Sequence, residues 1–213
     1  MSAPLALAAC IAIGYLCGSL PWGLWLGKAF RGVDVRTLGS GDLGATNVYR
    51  SLGPAIGVAT LVLDIAKGAL PVWLLPQTSL GAAVPGGPAW CAIAVGFGAV
   101  AGHVWTFLAG FKGGKGVATS AGVLLALSPA AFGVFFVVFL VTLLLTRYVS
   151  LGSILGSVAF TAALARFSVD GVRSPAFLLG ALLAVLVIVR HRDNLGRLVR
   201  GEERRFSFKR SQP

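Results

Sequence analysis

Residues 117–146 read Val-Ala-Thr-Ser-Ala-Gly-Val-Leu-Leu-Ala-Leu-Ser-Pro-Ala-Ala-Phe-Gly-Val-Phe-Phe-Val-Val-Phe-Leu-Val-Thr-Leu-Leu-Leu-Thr, 30 positions without a charge. A run of that length cannot be covered by the polar surface of a soluble domain, and a helix needs only about 20 apolar residues to cross a bilayer. Thirty is too long for one crossing and short for two. The helix-breaking pair Ser128-Pro129 divides it, predicting a short segment over Val117–Leu127 and a longer one over Ala130–Leu145. The shorter one suits a re-entrant position, tolerable only where protein buries it.

The rest of the chain follows the same pattern. Of its 213 residues 56% are hydrophobic and 12% charged, and mean hydropathy is +0.86. A soluble domain carries about a quarter charged residues. Further apolar stretches lie at Leu5–Leu26, Pro54–Leu75, Ala89–Ala109, Leu151–Leu164 and Pro175–Val189. The reading is an all-α polytopic integral membrane protein with about seven transmembrane helices, a single domain over residues 1–213. No cationic region precedes the first stretch, which reads as a retained span rather than a cleaved signal.

The net charge of +11 would suggest nucleic acid in a soluble protein. Here the cations fall between apolar runs, so they orient the chain and attract anionic substrates instead. With the N-terminus outside, the inner segments hold Lys28, Arg31, Arg36, Arg50, Lys112, Lys115, Arg147 and every Lys and Arg from Arg190 to Arg210, against Arg166 and Arg173 outside. The positive-inside rule therefore predicts an external N-terminus and a cytoplasmic C-terminus. Cys10, Cys17 and Cys91 lie inside apolar runs and read as packing residues.

Three inner segments carry more than orientation requires. Thr37-Leu-Gly-Ser-Gly-Asp-Leu-Gly-Ala-Thr-Asn-Val-Tyr-Arg50 holds Gly39, Gly41 and Gly44, which permit tight turns and close backbone approach. Successive N–H groups there, at the start of a helix, form an anion-binding nest. Ser40, Thr46 and Asn47 add side-chain donors, and Arg50 adds a planar fork suited to phosphate. The second segment, around Phe111-Lys-Gly-Gly-Lys-Gly-Val-Ala-Thr119, brackets Lys115 with Gly113, Gly114 and Gly116 just before an apolar helix. It is not a nucleotide-hydrolysing loop: Ala109 stands where the first glycine belongs, and Gly116 follows Lys115 where Ser or Thr is needed. In the third, Arg190-His-Arg-Asp-Asn194, His191 and Asn194 are spaced to share a face of a continuing helix. Arg147 and Ser150 fall at an inner turn, and Asp64 and Lys67 form an intramembrane pair at helical spacing that reads as structural.

These one-sided polar groups suit a phosphorylated substrate meeting an apolar tail. Two histidines, no G-x-S-x-G elbow and sparse carboxylates argue against a nucleophilic triad and against a metal site. No His-x4-Asp pair is present, because Leu108 and Gly196 close the two windows. A transporter of small anions would place charge at the midplane and on both faces. The residues alone leave the identity of that phosphorylated substrate open.

Taken together, Ser19-Leu-Pro-Trp-Gly23, Gly39–Asn47 with Arg50, Phe111–Thr119, and Arg190–Asn194 with Gly201 and Glu203 resemble the bacterial acyl-phosphate:glycerol-3-phosphate acyltransferase family over essentially the whole chain. The resemblance implies transfer of a fatty acyl group from acyl phosphate to the 1-hydroxyl of glycerol-3-phosphate in phospholipid synthesis, directly and without cofactor or metal. It implies a cytoplasmic active site on the bacterial inner membrane. It places Ser40, Arg50, Lys115, His191 and Asn194 as catalytic, and Gly41, Gly44, Thr46, Asn47, His103, Lys112, Gly113, Gly114, Ser150 and Arg192 in substrate binding. The partners implied are the two substrates and the bilayer, with no nucleic acid; the oligomeric state stays open, a monomer being compatible. The family usually carries Asn at Asp42, where a carboxylate must turn away or take a cation to avoid repelling phosphate, and proline at Thr106.

Overall fold

A computed structural model describes residues 2–207; the predicted inner cations Lys209 and Arg210 lie outside the described residues. Every regular element among them is helical. The chain forms two compact units, divided between Leu127 and Ser128.

The first unit contains α1 (Ala3–Gly18), α2 (Trp22–Arg31), α3 (Ala45–Leu52), α4 (Pro54–Leu74), α5 (Ser79–Ala83), α6 (Gly87–Val104) and α7 (Val117–Leu127). The stretch expected as the first span, Leu5–Leu26, lies within one candidate crossing, Ala3–Arg31, whose helix is interrupted at Ser19-Leu20-Pro21. Pro21 lacks an N–H and drives Leu20 out of helical geometry. In lipid the helices have no hydrophobic drive to associate, so backbones must approach closely through small residues. Gly14 and Gly18 of α1 lie against the Val95 and Ala99 backbone of α6, while Gly98 and Gly102 of α6 lie against Ile11 and Tyr15 of α1. Cys10 and Cys91 meet in the same interface with sulfurs 3.2 Å apart. Gly68 of α4 and Gly122 of α7 repeat the device against Thr119 and Ile65.

The second unit contains α8 (Pro129–Thr146), α9 (Val149–Phe167), α10 (Pro175–Arg190) and α11 (Arg192–Val199). Ser128 caps α8 by accepting from the Ala131 N–H at 3.4 Å. Gly152 and Gly156 let α9 pack under Phe139 and Phe135 of α8. The helix α8 exposes Phe136, Val137, Leu140, Val141, Leu144 and Leu145, an apolar face of the kind lipid tails solvate.

By length and composition, Ala3–Arg31, Pro54–Gln77, Gly87–Ala109, Pro129–Thr146 and Val149–Phe167 suffice to cross a membrane, and the bent pair α10–α11 makes a sixth. The expected fourth crossing is α7, whose 11 residues rise about 17 Å, roughly half a hydrocarbon core. The helix expected to continue through His191 and Asn194 instead bends by 57° between α10 and α11. His191 sits at the break with φ −102° and ψ 10°.

Candidate active site

In the first unit the two glycine-rich segments become turns that meet. Asp34 starts the approach: side-chain hydrogen bonds from Arg36 hold its carboxyl at about 2, with Arg36 Nη2 at 2.6 Å. Gly39 and Gly41 take φ of 58° and 73°, a left-handed geometry that an L side chain rarely adopts. Gly44 then caps α3.

Asn47 organises this turn from within. Its Nδ2 donates to the carbonyls of Val35, Leu38 and Asp42 at 3.3, 3.1 and 2.9 Å. Its Oδ1 accepts from the Ser40 N–H at 3.0 Å. Buried among its own loop, Asn47 uses both amide hydrogens on backbone. Its side chain shapes the turn from within. Ser40 and Gly41 are exposed, Gly44 and Thr46 half-buried, and Arg50 is exposed in the last turn of α3.

The second turn is hung from the end of α6. Gly113 and Gly114 donate their N–H groups to the carbonyls of Val104 and His103 at 3.1 and 3.3 Å. Gly110, Phe111 and Gly116 have φ of 67°, 61° and 83°, and α7 follows at once. Lys112 projects outward. Thr106 donates its hydroxyl to the Ser19 carbonyl at 2.5 Å, tying this corner to the break between α1 and α2.

Three contacts join the turns. Lys115 Nζ lies 3.8 Å from Asp42 Oδ2, which also accepts from Ser40 Oγ at 3.2 Å. Arg36 Nη1 donates to the Ala109 carbonyl at 3.4 Å. A Cβ on Gly114 would strike His103 Nε2 and come within 3.4 Å of the Gly44 nitrogen. The Asp42 carboxylate therefore takes an internal cation. Beneath them Asp64 and Lys67 pair at 2.8 Å, Lys67 also donates to the Leu20 carbonyl at 2.7 Å, and His103 Nδ1 lies 3.7 Å from Asp64 Oδ1.

In the second unit a residue outside the expected set is the hub. Glu203 Oε1 accepts from Ser150 Oγ at 2.7 Å and from Asn194 Nδ2 at 2.6 Å, while Oε2 accepts from Arg197 Nε at 2.8 Å. Burial pushes the Glu203 carboxyl up, but the hydrogen bonds from Asn194, Ser150 and Arg197 outweigh it and hold it below the usual range. Set in an arginine-rich tail, it resembles a solvated charge; its place in the Gly201–Glu203 motif is the signal that marks it. His191 Nδ1 lies 2.7 Å from the Val187 carbonyl. A carbonyl only accepts, so Nδ1 carries the hydrogen of this bond. Arg192 is exposed, near Asp193 at 3.8 Å.

The profile of the family described as glycerol-3-phosphate acyltransferase matches residues 8–201. The chain belongs to the glycerol-3-phosphate acyltransferase family. It is 45% identical over 205 residues to a glycerol-3-phosphate acyltransferase of Anaeromyxobacter dehalogenans strain 2CP-C, covering 96% of this chain and 100% of that one. With the Geobacter sulfurreducens enzyme it shares 47% over 197 residues, 92% and 95% of the two chains. The crystal structure of PlsY (YgiH), an integral membrane glycerol 3-phosphate acyltransferase, in its glycerol 3-phosphate form superposes with a TM-score of 0.83 at 37% identity, covering 94% of this chain and 96% of that one. Its lysophosphatidic acid form gives 0.81 at 36% identity, covering 94% and 95%. Like PlsY, this acyltransferase is an integral membrane protein.

Proposed function

We propose that the protein transfers a fatty acyl group from acyl phosphate to the 1-hydroxyl of sn-glycerol-3-phosphate, giving lysophosphatidic acid and phosphate. The reaction takes place at the cytoplasmic face of the bacterial inner membrane, with the N-terminus outside. The observation that carries this reading is the meeting of two glycine-rich turns around Lys115. It is supported by the glycerol 3-phosphate and lysophosphatidic acid forms of the similar PlsY, which carry over as acceptor and product.

Acyl phosphate is a mixed anhydride, so its carbonyl carbon needs no covalent activation by the enzyme. The acceptor oxygen bonds to that carbon, the bond from carbon to the bridging phosphate oxygen breaks, and phosphate leaves with the electron pair. The hydroxyl proton passes to the leaving phosphate or to His191 Nε2. Catalysis is then positioning and charge neutralisation. Ser40, the N–H groups around Gly41, Gly44 and Thr46, and Lys112 to Lys115 hold phosphate oxygens, with Arg50 offsetting charge. Ser150, His191, Arg192 and Asn194 serve the acceptor, and Glu203 fixes two of them.

The test supplies purified protein with glycerol-3-phosphate and, in turn, acyl phosphate, acyl-CoA and acyl carrier protein. Lysophosphatidic acid is expected to form from acyl phosphate with equimolar phosphate release. Product from acyl-CoA but none from acyl phosphate would overturn the donor assignment.

A further inference from the structure

A small cavity lies in the first unit beneath the two turns, lined by Leu20, Pro21, Trp22, Leu43, Asp64, Lys67, His103 and Thr106. Its volume is about 10 Å3, room for about one water molecule. Three of its lining residues each bring a buried polar atom without a protein partner: Trp22 Nε1, Asp64 Oδ2 and His103 Nδ1. Asp64 is 1% exposed and His103 5%. Unpaired buried polar atoms are costly, and several around one small polar space are commonly reconciled by a bound water. The 3.7 Å between His103 Nδ1 and Asp64 Oδ1 is beyond a direct hydrogen bond and invites the same bridge.

We propose that this cavity binds one water, and that Asp64, held by Lys67, acts through it as a positioning residue for His103 and the phosphate turn. Trp22 Nε1 can only donate and Asp64 Oδ2 only accepts. The water therefore receives a hydrogen bond from Trp22 and gives one hydrogen to Asp64 Oδ2, and in the proposed arrangement its second hydrogen goes to His103 Nδ1. Accepting at Nδ1 places the proton of the neutral imidazole on Nε2, the nitrogen that lies against Gly114. The His103 main chain carries the turn through its carbonyl at 3.3 Å from the Gly114 nitrogen. Its side chain thus presents an N–H beside that turn, where a phosphate oxygen can accept it. Lys67 keeps the carboxylate in place from the other side at 2.8 Å and is itself fixed by the Leu20 carbonyl at 2.7 Å.

This inference rests on the reading of Gly113 to Lys115 as a phosphate turn and adds what orients it. Asp64→Asn alone strands the Lys67 charge, so the decisive variant is the doubly neutral Asp64→Asn/Lys67→Gln, which removes the charge pair and keeps polar groups of similar size. If Asp64 serves only to neutralise Lys67, this double variant transfers acyl groups with the parent KM. The positioning role predicts a KM for acyl phosphate raised roughly tenfold with a smaller change in kcat, because the turn is misplaced. Trp22→Phe, which deletes the N–H, is expected to move KM in the same direction. Loss of folded protein alone would lower apparent kcat and leave KM unmoved. A parent-like KM in both variants overturns the inference. Failure of the phosphate-turn reading shows separately, as a parent-like KM in Lys115→Ala.

Discussion

Lys115 Nζ stands 3.8 Å from Asp42 Oδ2, both side chains about a quarter exposed, so the cation assigned to phosphate already has a carboxylate beside it. A pair this open is worth at most about 1 kcal/mol. Incoming phosphate must displace or share that carboxylate. Asp42→Asn keeps an oxygen for the Ser40 hydroxyl and removes the competing charge. Its KM for acyl phosphate is expected to fall by about two- to fivefold, the equivalent of that pair. Steady-state kinetics at fixed glycerol-3-phosphate checks this, and a rise in KM would contradict it.

Asn47 offers a sharper contrast between shape and chemistry. Asn47→Asp preserves volume but loses both donors to Val35, Leu38 and Asp42 and sets a buried carboxylate against three carbonyls. Leaving buried acceptors unpaired costs about 1–3 kcal/mol each. Asn47→Asp is expected to lose at least as much thermal stability in detergent as Asn47→Ala, and both to lose activity. A parent-like melting temperature for Asn47→Asp would show that the turn does not depend on these bonds.

Glu203 gives a pH dependence with a definite sign. Its folded carboxyl is held below its ordinary value of 4.5. The stability it adds is therefore fully present above that value and disappears as pH falls through the lower folded one. Glu203→Gln keeps an acceptor but gives up the charge facing Arg197. Melting temperatures of parent and Glu203→Gln should differ most near neutrality and converge as pH falls below about 4.5. A gap that stays constant across that range would mean the charge contributes nothing.

The contact of α1 with α6 depends on the absence of side-chain atoms. A Cβ at Gly102 would strike the Tyr15 carbonyl, and one at Gly98 the Ile11 carbonyl. Gly98→Ala and Gly102→Ala are expected to lower the melting temperature of purified protein, whereas Gly133→Ala, where a Cβ meets nothing within 4 Å, should leave it nearly unchanged. Equal effects at all three positions would refute the close-packing account.

Much of this architecture is written in local punctuation. Val117–Leu127 is bounded correctly because Ser128-Pro129 is a cap and a breaker together. The interruption at Ser19–Pro21 was hidden, since Ser19 and Pro21 sit inside an otherwise apolar run long enough to cross a membrane as one span. The bend at His191 was likewise invisible in a pattern that fits a continuous helix. The site was legible in composition and less so in roles. Asn47 and Ser40 look alike as donors in a glycine-rich segment, yet one faces its own loop and the other is exposed. Asp64 and Lys67 were readable as a pair from their spacing, whereas His103, distant in sequence, joins them only through the packing of α6 on α4. Glu203 hid among arginines because charge patterning cannot reveal which of several carboxylates is buried.

The most direct measurement is acyl transfer by purified Lys115→Ala and Arg50→Ala, with acyl phosphate and glycerol-3-phosphate each varied in turn. Removing a charged group that stabilises the reacting phosphates is expected to cost about a hundredfold in kcat/KM in each variant, with folded protein recovered normally. Near-parental kcat/KM in both would contradict phosphate neutralisation by the paired turns.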